Sequence, residues 1–285
     1  MRRCLVPLLL IFAGHLSAAE NIRHRFVATD ESRGQLLLVD QVDSSRDWTV
    51  PLPKNRDLFV AGDTVVVNTA TGLREFALAD GTPRREVKAG QGVASVTRDE
   101  TGRTYLGSGS TIWEVAATGT VVRTLPIQGG NMFRLLRLTP TGGFLFTSGP
   151  TTITELDDAG KELRRFDLQS LDGKTSKPYG AKRLPGGGTM LSTGYGASLL
   201  ELDAEGKLVR KLGGTGSVPG VFLNFFADFT VLPDGGVVVA NWTGHGAQDS
   251  AKGPQVVQFD RTGNLVWQWH DPRRAGSLHG LALIE

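Results

Sequence analysis

Six copies of one short pattern run through the chain, each a strand, a tight turn and a strand. They read Leu38-Val-Asp…Ser44…Trp48, Glu75-Phe…Asp80-Gly81, Glu114-Val…Thr118-Gly119…Val122, Glu155-Leu-Asp…Gly160-Lys-Glu-Leu163, Glu201-Leu-Asp…Gly206-Lys-Leu-Val209 and Gln258-Phe-Asp…Gly263-Asn-Leu-Val266-Trp-Gln-Trp269. The turn recurs at positions 44, 81, 119, 160, 206 and 263, in steps of 37, 38, 41, 46 and 57 residues. A period near forty with short strands is the signature of propeller blades. Between these hairpins lies a second repeated turn, at Gly62, Gly102, Gly142, Gly188 and Gly235, with Pro setting the first corner in three of the five. Each blade therefore reads strand a, turn, strand b, loop, strand c, turn, strand d.

The two counts differ by one. The chain opens directly on a strand b, Arg25-Phe-Val-Ala28, and ends on an orphan, Leu278 to Ile284, that reads as strand a. Pairing the two closes a ring and removes its exposed edges. The expectation is an all-β, six-bladed β-propeller of four-stranded blades, with the C-terminal strand completing the first blade. A seventh blade would need about forty more residues.

Residues 1–19 read as a secretory signal peptide: Met1-Arg2-Arg3, an apolar run from Leu5 to Ala13, then Ser17-Ala18-Ala19 before a cut ahead of Glu20. Residues 20–285 are then one propeller domain, secreted or periplasmic. Its 266 residues contain no cysteine, Cys4 lying in the leader, so core burial alone must hold them together. Without Arg2 and Arg3, 29 basic residues face 29 acidic ones, which argues against a nucleic-acid or anionic-membrane partner. No other segment is long and apolar enough to span a bilayer as a helix. A monomer is expected.

The a–b and c–d turns share one face, and the long d–a and b–c connections (169–178, 213–224, 242–254 and 270–278) share the other. Residues entering each strand a on the long-loop face converge on the channel mouth. Arg56, Arg134, Tyr179, Asp228 and His279 are the candidates there for a small polar or anionic ligand. His279 and His245 are candidate general bases, and His245, Asp249 and His279 a candidate divalent-metal set, although their spacing fits no ligand motif. His24 is expected on the opposite face. Asn241-Trp-Thr243 satisfies the N-glycosylation sequon. Trp267 and Trp269 are expected to pack in the core, one ring toward each neighbouring blade or one over an edge. Phe222, Phe225 and Phe226 would form a lid, a plug or a partner surface. There is no Gly-x-Ser-x-Gly elbow, His-Glu-x-x-His, Cys-x-x-Cys or phosphate loop. No cofactor is expected.

The combination of Leu232-Pro-Asp-Gly-Gly, Leu202-Asp-x-x-Gly-Lys-Leu-Val and Gly263-Asn-Leu-Val-Trp-Gln-Trp269 resembles secreted bacterial propellers of the PQQ-repeat-like and NHL-like group. The likeness runs through residues 20–285 and implies fold far more than activity. Arylsulfotransferases, a histidine-using amidating lyase and streptogramin-lyase-like propellers are among the similar proteins, and only His279 matches a channel histidine. True quinoprotein dehydrogenases have eight blades, so PQQ binding is not implied. The leading expectation is a secreted binding module with its ligand or partner at the channel mouth. The alternatives are a lyase or hydrolase, with or without a metal, that uses the histidines of the long-loop face, and a protein–protein scaffold around Phe222 to Phe226.

Overall fold

The computed structural model describes residues 22–284 apart from 129, 131–132, 169–176 and 247, so the leader and most of the 169–178 loop lie outside the described residues. The chain forms six antiparallel sheets arranged as a ring. Blade 1 pairs Leu278–Ile284 with Arg25–Asp30, Gln35–Asp40 and Trp48–Pro51, in that order. Register runs Arg25 against Ile284 through Ala28 against Leu281, so the last strand closes the ring as the hairpin counts require. The other blades begin at Leu58, Ser95, Leu136, Gly180 and Phe225. Blade 6 carries a fifth short strand, Gly194–Tyr195, borrowed from blade 5.

Strand burial falls from the inside outward. Strand b of blade 6, Val237–Trp242, is buried along its whole length, while the outer strands Pro83–Lys88, Glu162–Asp167 and Leu208–Gly213 bury little more than one apolar side chain each. The apolar core is divided into six clusters, one wedged between each pair of neighbouring blades. Each fully buried Leu, Val or Phe in them contributes roughly 1.5–3 kcal/mol, so each blade depends on both neighbours.

Trp267 and Trp269 belong to one cluster and face the same way: Trp267 meets His24 edge-on at 4.6 Å and Trp269 meets Phe26 at 5.3 Å. Rings pointing to opposite blades are impossible here, because residues i and i+2 of a strand share a face. The pair seals blade 6 against blade 1, and His24 bonds Gln258 at 2.7 Å across the same seam, on the face away from the long loops.

The Glu that opens the c–d hairpin in four of the six blades also has a role. Glu75 pairs with Arg98, and Glu155 with Arg183, each across to the next blade. Where the next blade offers Leu138 or Val231 instead of arginine, Glu114 and Glu201 pair within their own blade, with Arg103 and Arg210.

A charged layer crosses the channel. Arg137 reaches Asp57 at 2.8 and 3.0 Å and Asp228 at 2.9 Å, and Lys182 meets Asp228 at 2.9 Å. Asp57 also accepts from the Ser95 hydroxyl and from Val96 N at 2.9 Å, and Ser95 in turn accepts from Leu136 N at 2.8 Å. Five blades are thereby tied to one buried network. Burial alone would push Asp228 up and Lys182 down; Arg137 and Lys182 outweigh burial at Asp228 and hold it low, whereas burial wins at Lys182.

Candidate functional site

Above the charged layer, on the long-loop face, a cavity of about 250 Å³ is lined by Arg56, Arg134, Lys177, Pro178, Tyr179, Tyr195, Phe225, Trp242, His245 and His279. The entry to strand a is pinned in five of the six blades by a repeated local device. A polar side chain ending strand b accepts a backbone N–H from the entering segment: Thr29 from Gly280 at 2.8 Å, Asn68 from Asp57 at 3.0 Å, Thr147 from Arg134 at 2.8 Å, Ser192 from Gly180 at 3.1 Å and Asn241 from Asn224 at 3.0 Å. These bonds satisfy buried amides and set which residue of each entry meets the cavity.

Arg56, Arg134, Tyr179 and His279 come together at this mouth. Asp228 does not; it lies one layer below, in the buried network. It is the counterpart of Asp57: each accepts the N–H of the residue after it, and each binds Arg137. One residue along a strand turns the side chain to a different place, so an offset of one relative to Arg56 and Arg134 is enough to move Asp228 out of the mouth. Ala227 takes the entry position in blade 6, and Phe225 and Trp242 supply that blade's wall.

Glu31, in the b–c turn of blade 1, is a hub that sequence reading missed. Its Oε1 accepts from Arg56 Nε at 3.1 Å and Nη2 at 2.6 Å, and its Oε2 accepts from Trp242 Nε1 at 3.2 Å. The same Oε2 lies 3.4 Å from His245 Nδ1 and 3.5 Å from His279 Nδ1. Glu31 N donates to Ser277 O at 3.1 Å, fixing the turn beside the entry to Leu278–Ile284. Burial pushes the Glu31 carboxyl up, but its electrostatic interactions with His279, Arg56 and His245 pull it further down, leaving it below the ordinary value. His279 is 5 % exposed, and burial drives its pKa down to about 3 against the opposing pull of Glu31, with Arg56, His245 and Arg134 adding to the fall. It is therefore neutral at neutral pH, when Arg56 is the cation that keeps Glu31 ionised.

Asp249 does not join the histidines. It accepts from Gly246 N at 2.8 Å and pairs with Lys252 at 2.7 Å, inside a 3-10 turn at Asp249–Lys252. Among the described residues, no group of three or more His, Cys, Asp and Glu side chains is placed to hold a metal ion. His270 bonds Ser250 O at 3.0 Å.

The sequon asparagine is consumed by the fold. Asn241 is fully buried and donates to Phe222 O at 2.9 Å and Pro254 O at 2.8 Å, so the folded protein offers it to no glycan. The Phe trio separates too: Phe226 is core, Phe225 lines the cavity, and Phe222 alone is exposed, at 39 %. A contiguous apolar docking patch is thus not formed by these three.

No family model matches the chain, and no curated protein matches it in sequence. Solved structures do match in fold. A protein of unknown function from Bacteroides caccae is 20 % identical, with a TM-score of 0.76 over 93 % of this chain and 100 % of that one. A streptogramin B lyase is 15 % identical, with a TM-score of 0.63 over 92 % and 90 % of the two chains. Virginiamycin B lyase from Staphylococcus aureus is 12 % identical, with a TM-score of 0.60 over 90 % and 87 %. At these identities the likeness establishes a β-propeller and nothing finer. Among the described residues no helix is long and apolar enough to cross a membrane, which leaves β-barrels unaddressed.

Proposed function

We propose that this propeller binds a small anionic ligand at the mouth of its ring, and that the leader-like residues 1–19 send it out of the cytoplasm to do so. One observation carries the binding reading. Arg134 and Lys177 border the cavity with no carboxylate partner among the described residues; Arg134 Nη1 bonds only Phe133 O, at 3.1 Å. Elsewhere in the ring, buried or half-buried arginines such as Arg98, Arg137 and Arg183 are matched to acids. Unmatched guanidinium at a concave site favours carboxylate or phosphate. The charged layer below closes the channel, so the ligand enters from one face.

Isothermal titration of the purified protein with acetate and inorganic phosphate, against acetamide, tests this reading. Binding of the acids that weakens at least tenfold in Arg134→Gln is expected. Equal response to acid and amide would overturn it.

The contact of Glu31 with both histidines favours a second reading, a lyase or hydrolase, and two structural neighbours are lyases by name. His279 lines the cavity in its neutral form, and for it to take a proton the bound molecule would have to raise its lowered basicity. In that case Glu31→Gln would remove turnover of any substrate found while leaving acid binding within about threefold.

A further inference from the structure

The mouth is divided by chemistry as well as by position. Its cations come from blades 2 and 4 and from the segment entering blade 5: Arg56, Arg134 and Lys177. Its rings come from blades 5, 6 and 1, so the two groups adjoin at blade 5, where Lys177 precedes Tyr179. Phe225 is the centre of that wall, edge-on to Tyr195 at 4.9 Å, to Tyr179 at 5.3 Å and to Trp242 at 5.5 Å. His279 stacks on Tyr179 at 5.6 Å and 25°, and Trp242 meets His245 edge-on at 4.6 Å. Tyr195 is 51 % exposed although its neighbours bury it on one side, so a large ring face stays open at the rim. Arg56 is committed to Glu31, which leaves Arg134 and Lys177 as the cavity-lining cations with no carboxylate partner among the described residues.

Ring surface beside cations that lack a carboxylate partner among the described residues suits a ligand with both an apolar ring and an anionic group. An aliphatic acid would leave the rings wet, and an inorganic anion would leave them unused. A flat aromatic group offers faces and edges to rings already set at right angles, an arrangement favoured by the charge distribution of aromatic rings. From this juxtaposition we infer that the mouth takes an aromatic acid, a planar ring bearing an anionic group, with the ring against Tyr195, Phe225 and Trp242 and the anion at Arg134 and Lys177. The inference rests on the anion-binding reading above and names the ligand class within it.

Isothermal titration with benzoate, benzamide and cyclohexanecarboxylate separates the two ends of the ligand. Benzoate is expected to bind about tenfold more tightly than benzamide and about fivefold more tightly than cyclohexanecarboxylate. Arg134→Gln should abolish the preference for acid over amide, and Tyr195→Ala, at an exposed position, the preference for the aromatic over the saturated ring. Cyclohexanecarboxylate binding as tightly as benzoate, with both ahead of benzamide, would overturn the aromatic inference and leave anion binding standing. Acids that bind no better than benzamide, or not at all, would overturn both.

Discussion

The clearest quantitative consequence of the mouth geometry concerns His279 and acid stability. A histidine held neutral in the folded chain, with its pKa lowered from 6.5 to about 3, binds fewer protons than the same residue in the unfolded chain. Stability must therefore rise with pH between about 3 and 6.5 and be lost progressively as pH falls through that window. The full shift corresponds to about 5 kcal/mol, reached near pH 3. Between pH 7 and pH 5 the same relation gives a loss of about 2 kcal/mol, because the unfolded histidine is largely protonated at pH 5 and the folded one is not. The lowered carboxyls, Glu31 among them, start from ordinary values of 3.8 to 4.5 and lose their contribution only below that range, so the interval from pH 7 to 5 isolates the histidine. The test is urea denaturation of wild type and His279→Gln at pH 7 and pH 5. Wild type should lose about 2 kcal/mol more than the variant over that interval. Equal losses would refute the claim that His279 is held neutral by burial.

Three further outcomes follow from the fold. Arg137→Met leaves Asp57 and Asp228 buried without their shared cation and should cost about 3–5 kcal/mol in chemical denaturation; adding Asp57→Asn and Asp228→Asn should restore much of the loss, and a neutral single variant would sink the account of the channel layer. Deleting residues 278–285 removes the strand that pairs with Arg25–Asp30 and should abolish the cooperative melt followed by circular dichroism; a melt unchanged from wild type would count against closure of the ring. Trp269→Ala empties the seam between blades 6 and 1 and should lower stability by about 3–5 kcal/mol.

Much of the architecture is written locally. Each Gly-centred turn with its flanking β-branched residues specifies a hairpin without reference to the rest of the chain. Six c–d hairpins against five a–b hairpins then leave one strand over at each end. A ring that abolishes edges is the economical resolution, and the register of Arg25 against Ile284 realises it. The presence of Arg56, Arg134, Tyr179 and His279 at one mouth was legible for the same reason, since each begins an equivalent strand. Asp228 was misplaced because the register shift between Phe226 and Phe229, where that strand pairs with Val237–Trp242, changes the phase that decides between mouth and channel layer.

The rest of the site has no local signal. Glu31 is an ordinary turn residue in sequence, and becomes a hub only when ring closure brings the first blade beside Trp242 and His245. Tyr195 and Phe225 become one aromatic wall only because the short strand Gly194–Tyr195 pairs with Phe225–Val231 rather than within its own blade. Sequence thus determined the repeat, the blade count and the strand that closes them, because turns and strand alternation act over a few residues. Tertiary structure decided which charges are matched and which are left free, because a carboxylate meets its cation only where the packed blades set them within a few ångströms.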